Sequence, residues 1–158
     1  MEKLNTGLTE KDRFGSVELL NHLLADEYVL YTKTRKYHWN VRGMQFKSLH
    51  ELFEEHYRDL EEKIDEIAER IRALGHYAIG TLKQFSKLTR LEEHEEDNGD
   101  ARSMLQNLVY DHELIINHLR SNLETCQEKY HDAGTSDFFT SMMKDHEKMV
   151  WMLRVYLE

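Results

Sequence analysis

The residues of this 158-residue chain with spacing fit for metal chemistry are two pairs, His50/Glu54 and Asp65/Glu69. In each pair the side chains stand four positions apart, one above the other on a helix, where two donors can grip one ion. Taking residues 46–74 as one regular helix with His50 at the origin, Glu54 lies roughly 40° round the axis, Asp65 roughly 60° and Glu69 roughly 100°. All four therefore share a stripe beside the apolar face. Glu54 and Asp65 are separated by about 16 Å of helix axis, at ~1.5 Å per residue. Metal–ligand bonds are only ~2 Å long. One chain cannot bring both pairs to one metal, whereas two antiparallel copies across a two-fold would set each His50/Glu54 opposite the other's Asp65/Glu69. On composition alone, the same stripe is what a solvated face of a charged helix presents. The spacing predicts intersubunit sites if it predicts sites at all.

A carboxylate-bridged pair of metals held inside one bundle is a different design. It needs Glu-x-x-His pairs from two helices and a glutamate from each of the other two. The chain offers one such pair, Glu128–His131, at a helix end, so an in-bundle site of this kind is not expected. His56, His112, His118 and His146 lie on helices without a recognisable partner spacing. Cys126 reads as a small core-side residue, His94 as solvated, and the seven methionines as core filler.

The elements that must position these residues are all helical. Residues 1–13 are polar and aperiodic and read as a short tail; residues 14–158 read as one bundle. Ser16 is the expected N-cap of a first helix running to about Val41, with a partial apolar stripe through Leu20, Leu23, Leu24, Val29 and Leu30. Arg42-Gly43 interrupts. The second helix, Phe46 to Leu74, carries Leu49, Phe53, Leu60, Ile64, Ile67, Ile71 and Leu74 on one face, and Gly75 closes it. Residues 76–98 form a long connection with a short helical piece around Leu82–Leu88. Its acidic run, Glu92 to Asp97, reads as solvated surface. A third long helix spans about Asp100 to Tyr130; residues 131–134 turn the chain, and Thr135 or Ser136 caps a last helix reaching almost to Glu158. Four long helices around one core make a four-helix bundle.

Composition supports that class and excludes others. The chain has no proline and seven glycines, which suits long uninterrupted helices. Its formal charge of −9 argues against a dedicated nucleic-acid or anionic-membrane binder. A single cysteine rules out an intrachain disulfide framework and fits a reducing, cytoplasmic compartment. No window has the apolar length of a signal peptide or a membrane span.

The stretch HWNVRGMQFKSLHELFE (His38–Glu54), followed by IDEIAERIRALG (Ile64–Gly75), resembles the two signature segments of the Dps-type miniferritins, starvation-induced DNA-protecting relatives of ferritin. The C-terminal DHEKMVWMLRVYLE (Asp145–Glu158) is similar to the last helix of that family. The resemblance implies a ferritin-like all-α bundle assembled as a hollow homo-dodecamer. It implies iron as substrate, oxidised from Fe(II), preferably by hydrogen peroxide, and stored as ferric mineral; zinc or manganese also suits such a site. It assigns His38, His50 and Glu54 as ligands from one subunit and Asp65 and Glu69 from the two-fold-related subunit, with Trp39 beside the site. Glu54 departs from the aspartate that many relatives carry. Imidazole and carboxylate donors suit Fe(II), leave positions open for oxidant and stabilise Fe(III) as it forms.

The resemblance also implies an iron-entrance pore on the three-fold axes, here near Glu128, Asp132 and Asp137. Direct DNA binding is expected to be weak or absent. Lys3, Lys11 and Arg13 are balanced by Glu2, Glu10 and Asp12, and the last helix ends the chain. Protection would then come from chemistry, in a cytoplasmic protein with nucleoid association left open. The alternative is a non-catalytic architectural shell that binds DNA or another partner; such a shell has no need of the full set His38, His50, Glu54, Asp65 and Glu69.

Overall fold

The structure is a computed structural model that describes residues 4–96 and 100–158. It contains α1 (Glu10–Asn40), α2 (Phe46–Ala73), the short α3 (Leu82–Leu88), α4 (Ala101–Glu128) and α5 (Ala133–Val155). Among the described residues there is no strand, only an isolated bridge between Arg42 and Asp100. Short turns make α1 and α2 one antiparallel hairpin and α4 and α5 another; the long α2–α4 connection joins them, with α3 packed on α1. This is the ferritin-like four-helix bundle. No described helix is long and apolar enough to cross a membrane.

α2 behaves as its periodicity requires. Leu49, Leu52, Phe53, Leu60, Ile67 and Ile71 are buried on one face. Gly75 ends it at φ +84°, with Gly75 N–H donating to Arg72 O (2.9 Å) and His76 N–H to Ile71 O (3.3 Å), a Schellman closure that favours glycine. α1 is different. Leu23, Leu24, Ala25, Asp26 and Glu27 are all buried at consecutive positions, because α2, α3 and α4 cover it from several sides. A helix enclosed in this way has no single apolar stripe to read.

Two helix starts differ from expectation. α1 begins at Glu10, capped by Thr9, whose hydroxyl accepts from Asp12 N–H (3.1 Å). Ser16 is inside the helix and fully buried, with the Cys126 thiol donating to its hydroxyl at 3.7 Å. Burial pushes the Cys126 thiol up to about 11, so it stays protonated and unreactive in the folded chain. Arg13 is also buried and donates to Leu74 O (3.0 Å), binding a free carbonyl at the end of α2. The bundle thus takes in residues 10–13, and Lys11 and Arg13 are not tail charges; Glu2 and Lys3 lie outside the described residues. At the other site, α5 begins at Ala133 with Asp132 as N-cap, accepting from Thr135 N–H (3.0 Å). Thr135 and Ser136 are the third and fourth residues of the helix.

Charged groups tie the hairpins and the connection together. Asp26 is fully buried on α1 and accepts from Arg90 N–H (2.6 Å), Arg90 Nε (2.8 Å), Arg90 Nη2 (2.5 Å) and the Thr89 hydroxyl (3.0 Å). Lys33 of α1 meets Asp111 of α4 at 2.5 Å with both side chains almost fully buried. Lys33 and Lys36 also donate to the carbonyls of Glu92 and His94. The acidic run therefore exposes its carboxylates at Glu92, Glu93, Glu95 and Glu96 but docks its backbone on α1; Asp97 lies outside the described residues.

Removing the Asp26 carboxylate strands the Arg90 guanidinium and frees the connection from α1. Breaking a buried pair costs about 3–5 kcal/mol, and a quarter of the Arg90 side chain is in water (25%). Asp26→Ala is expected to destabilise the protein by roughly 3 kcal/mol, the low end of that range, as a lower unfolding midpoint in denaturant. A change under ~0.5 kcal/mol, typical of surface substitutions, would show that the connection is held by other contacts.

Candidate metal centre

His38 ends α1 and His50 opens α2, so the hairpin turn brings them together. Their rings stack with centroids 3.7 Å apart and an interplanar angle of 18°. Each Nδ1 lies 2.7 Å from the backbone carbonyl of the other residue. A carbonyl only accepts, so each Nδ1 carries the proton and each neutral ring keeps its lone pair on Nε2. This is the arrangement in which a metal-ligating histidine is fixed by its second nitrogen. Tyr57 meets the His38 ring edge-on at 5.3 Å.

Glu54 follows one turn after His50 and is held in an ion pair by Arg58 on the same helix. Asp65 and Glu69 are exposed further along α2; Asp65 lines a groove with Tyr28 and Tyr31 of α1. The chain thus brings His38, His50 and Glu54 to one end of the hairpin and leaves Asp65 and Glu69 at a distance. Among the described residues, no three His, Cys, Asp or Glu side chains of a single chain already stand at the spacing that holds a metal ion. Trp39 is exposed (65%), with the Arg35 guanidinium 5.6 Å from its ring centroid. Met44 and Phe46 are exposed beside this end of the hairpin.

Of the three expected pore residues, Glu128 and Asp137 present exposed carboxylates. Asp132 does not: it is buried (2%), and its oxygens are taken by Thr135 N–H, the Thr135 hydroxyl and Arg70. Its charge serves the start of α5. His131, in the left-handed region at φ 53°, is exposed where α4 ends, so the Glu128–His131 pair stays outside the bundle.

One polar cluster was missed. Glu27, His56, His112 and His146 come from the middle of α1, α2, α4 and α5 and meet inside the core. His146 Nε2 lies 2.6 Å from Glu27 Oε1, and His146 Nδ1 lies 2.9 Å from His112 Nδ1. Burial above all, and then the neighbouring His146, push His56 down to about 4 and His112 well below its ordinary value. A signal existed: each residue stands near its helix midpoint, in register with core neighbours such as Phe53 and Leu60 around His56, or Leu108 and Ile115 around His112.

A model of the ferritin-like domain family matches residues 17–158. The DNA protection during starvation protein 2 of Bacillus anthracis is 38% identical over 141 residues, 89% of this chain and 95% of that protein. The Dps protein of Vibrio cholerae, described as a member of a broad superfamily of ferritin-like diiron-carboxylate proteins, superposes with a TM-score of 0.91 at 35% identity, each chain fully covered. The chain belongs to the Dps-type miniferritins. DpsC of Streptomyces coelicolor superposes on this miniferritin with a TM-score of 0.95 at 32% identity, over 99% of this chain and 91% of that one. An uncharacterized low temperature-induced protein of Nostoc sp. is 49% identical over all 158 residues, 88% of its own length.

Within the hairpin end, Arg58 competes with any cation for the Glu54 carboxylate. An exposed i,i+4 pair of this kind is weak and screened by salt. Arg58→Ala is expected to tighten anaerobic Fe(II) or Zn(II) binding by up to about five-fold at low salt, read by competition with a chelator. Unchanged or weaker binding would show that Glu54 is not a ligand.

Proposed function

We propose that this miniferritin oxidises Fe(II) at sites shared by two-fold-related subunits and stores the ferric product in a hollow twelve-subunit shell. His38, His50 and Glu54 bind from one subunit, and Asp65 and Glu69 from the other, with Trp39 packed beside them. The observation that carries the reading is the reciprocal His38–His50 pairing, which commits both Nδ1 atoms to backbone and leaves both Nε2 lone pairs for a metal. The ~16 Å between the two halves of the ligand set on α2 supports completion by a second copy. The relatives support the same direction, one named for protecting DNA during starvation and another described among diiron-carboxylate proteins.

Iron is the substrate here, and hydrogen peroxide is the preferred oxidant. Each peroxide takes one electron from each of two ferrous ions and leaves as water after protonation. The carboxylates from the partner neutralise the higher charge of the ferric product, and the imidazoles hold the ions without charge of their own. Consuming peroxide and Fe(II) together protects DNA without gripping it; direct DNA binding is weak or absent, since Arg13 is locked against α2 and Lys11 is flanked by Glu10 and Asp12. Exposed Glu128 and Asp137 draw cations toward the entrance in a cytoplasmic protein of charge −9 per subunit. Zinc or manganese would compete for the same donors. A purely architectural shell leaves the paired imidazoles unexplained.

Anaerobically purified protein should scatter light as an assembly of about 228 kDa, twelve chains of 19.0 kDa. Peroxide-driven Fe(II) oxidation should be fast and should outpace the reaction with dioxygen. His50→Ala/Asp65→Ala should keep the shell and lose at least roughly ten-fold in initial rate. An intact shell with an undiminished rate would move the function to the architectural reading, and a stable monomer with full activity would contradict shared sites.

A further inference from the structure

The cluster in the bundle core has a feature that a merely structural cluster lacks. His56 is buried (2%), yet neither ring nitrogen has a hydrogen-bond partner, and the fully buried Glu27 has no partner at Oε2. An unpaired buried polar group costs about 1–3 kcal/mol, and here two such groups sit within one cluster contributed by all four long helices. The rest of the cluster is ordered like the outer support of a metal site. His146 Nε2–H donates to Glu27 Oε1 at 2.6 Å, which leaves His146 Nδ1 as the lone-pair atom. That atom now accepts the proton of His112 Nδ1 at 2.9 Å.

We propose that His56, His112 and His146 bind a single divalent transition-metal ion of the zinc type inside each chain, with Glu27 orienting His146. The ion takes the place of the proton shared by His112 and His146. In a tetrahedral site with ~2.0–2.1 Å bonds the two nitrogens would stand ~3.3–3.4 Å apart, so the pair opens by roughly 0.4–0.5 Å. His112 then carries its proton on Nε2, and no net proton is released. The His56 ring, with its centroid 6.2 Å from that of His112 and both nitrogens uncommitted, supplies the third donor by turning toward the pair. Three imidazoles favour zinc-like ions over hard cations such as magnesium or calcium.

The cluster approaches the surface at His56. His56 lines a cleft between α2 and α5, together with Glu55 and Asp59 on α2 and Asp145 on α5. Two ammonium groups, Lys63 paired with Asp145 at 2.5 Å and Lys148, share the rim with these three carboxylates. The balance at the mouth is negative, as an incoming cation requires.

Co(II) is the probe, because a tetrahedral nitrogen site gives it intense visible bands that octahedral surface sites do not. Metal-free assembled protein carrying His50→Ala/Asp65→Ala should bind one Co(II) per chain with those bands, and Zn(II) should displace it. His56→Leu in the same background should lose that ion and its spectrum. The metal-free His56→Leu protein should melt at or above its parent's temperature, since an unpaired imidazole has been replaced by an apolar group, so a folding failure is distinguishable from a lost ligand. Added Zn(II) should raise the melting temperature of the parent and leave the variant unmoved. No tetrahedral Co(II) in the parent, or an unchanged spectrum and stoichiometry in His56→Leu, would overturn the proposal and leave a hydrated polar cluster in its place. The result does not depend on what His50 and Asp65 do.

Discussion

Rigid-helix geometry sets the terms for this molecule. Glu54 and Asp65 are fixed ~16 Å apart along α2, and no side chain on that helix can close the gap to a ~2 Å coordination bond. The α1–α2 hairpin resolves half of the problem by bringing His38 against His50 and pinning each ring through the backbone of the other. That pinning turns two mobile side chains into a preformed donor pair. In the proposed site the other half comes from a second chain, and Trp39, Met44 and Phe46 beside the histidines are exposed apolar side chains.

Buried charges join that hairpin to the rest of the bundle alongside the apolar core. Asp26 anchors the long connection through Arg90, Lys33 joins α1 to α4 through Asp111, and Arg70 reaches from α2 to the cap of α5 at Asp132. Asp26 and Asp132 are each satisfied by several hydrogen bonds, the condition under which a buried ion pair is tolerated. Lys33 adds a bond to the Glu92 carbonyl. Glu27 and His56 stand out against this pattern because they retain unpaired polar atoms in the same core.

How much of this was legible in the sequence depended on how many neighbours each element has. α2 and the short α3 were readable because one side of each is covered and the other is wet. α1 was readable as a helix, but its buried positions 23–27 include Asp26 and Glu27, and no periodic rule anticipates polar residues there. The starts of α1 and α5 were misplaced for a related reason. Ser16 and Thr135 are cap-forming residue types, as are Thr9 and Asp132, and the choice is made by distant partners: Arg13 on Leu74 and Arg70 on Asp132. The histidine pair His38/His50 was reachable through local signature segments. The core cluster was hidden because its four members have sequence separations of 29, 56 and 34 residues, which no local motif records. Only the alignment of four helix midpoints brings them together.

The shared site is tested most directly by complementation between two inactive chains. His50→Ala and Asp65→Ala variants are made separately and then coexpressed with different tags, and doubly tagged shells are isolated. In a mixed two-fold interface one site collects both substitutions and the other collects neither. Equal mixing should therefore restore about a quarter of the wild-type sites and the corresponding share of peroxide-driven Fe(II) oxidation. Recovery in mixed shells, from parents that are each inactive, is the result expected of ligands drawn from two subunits. Mixed shells no more active than their parents would place all the necessary ligands within one chain and contradict the shared site.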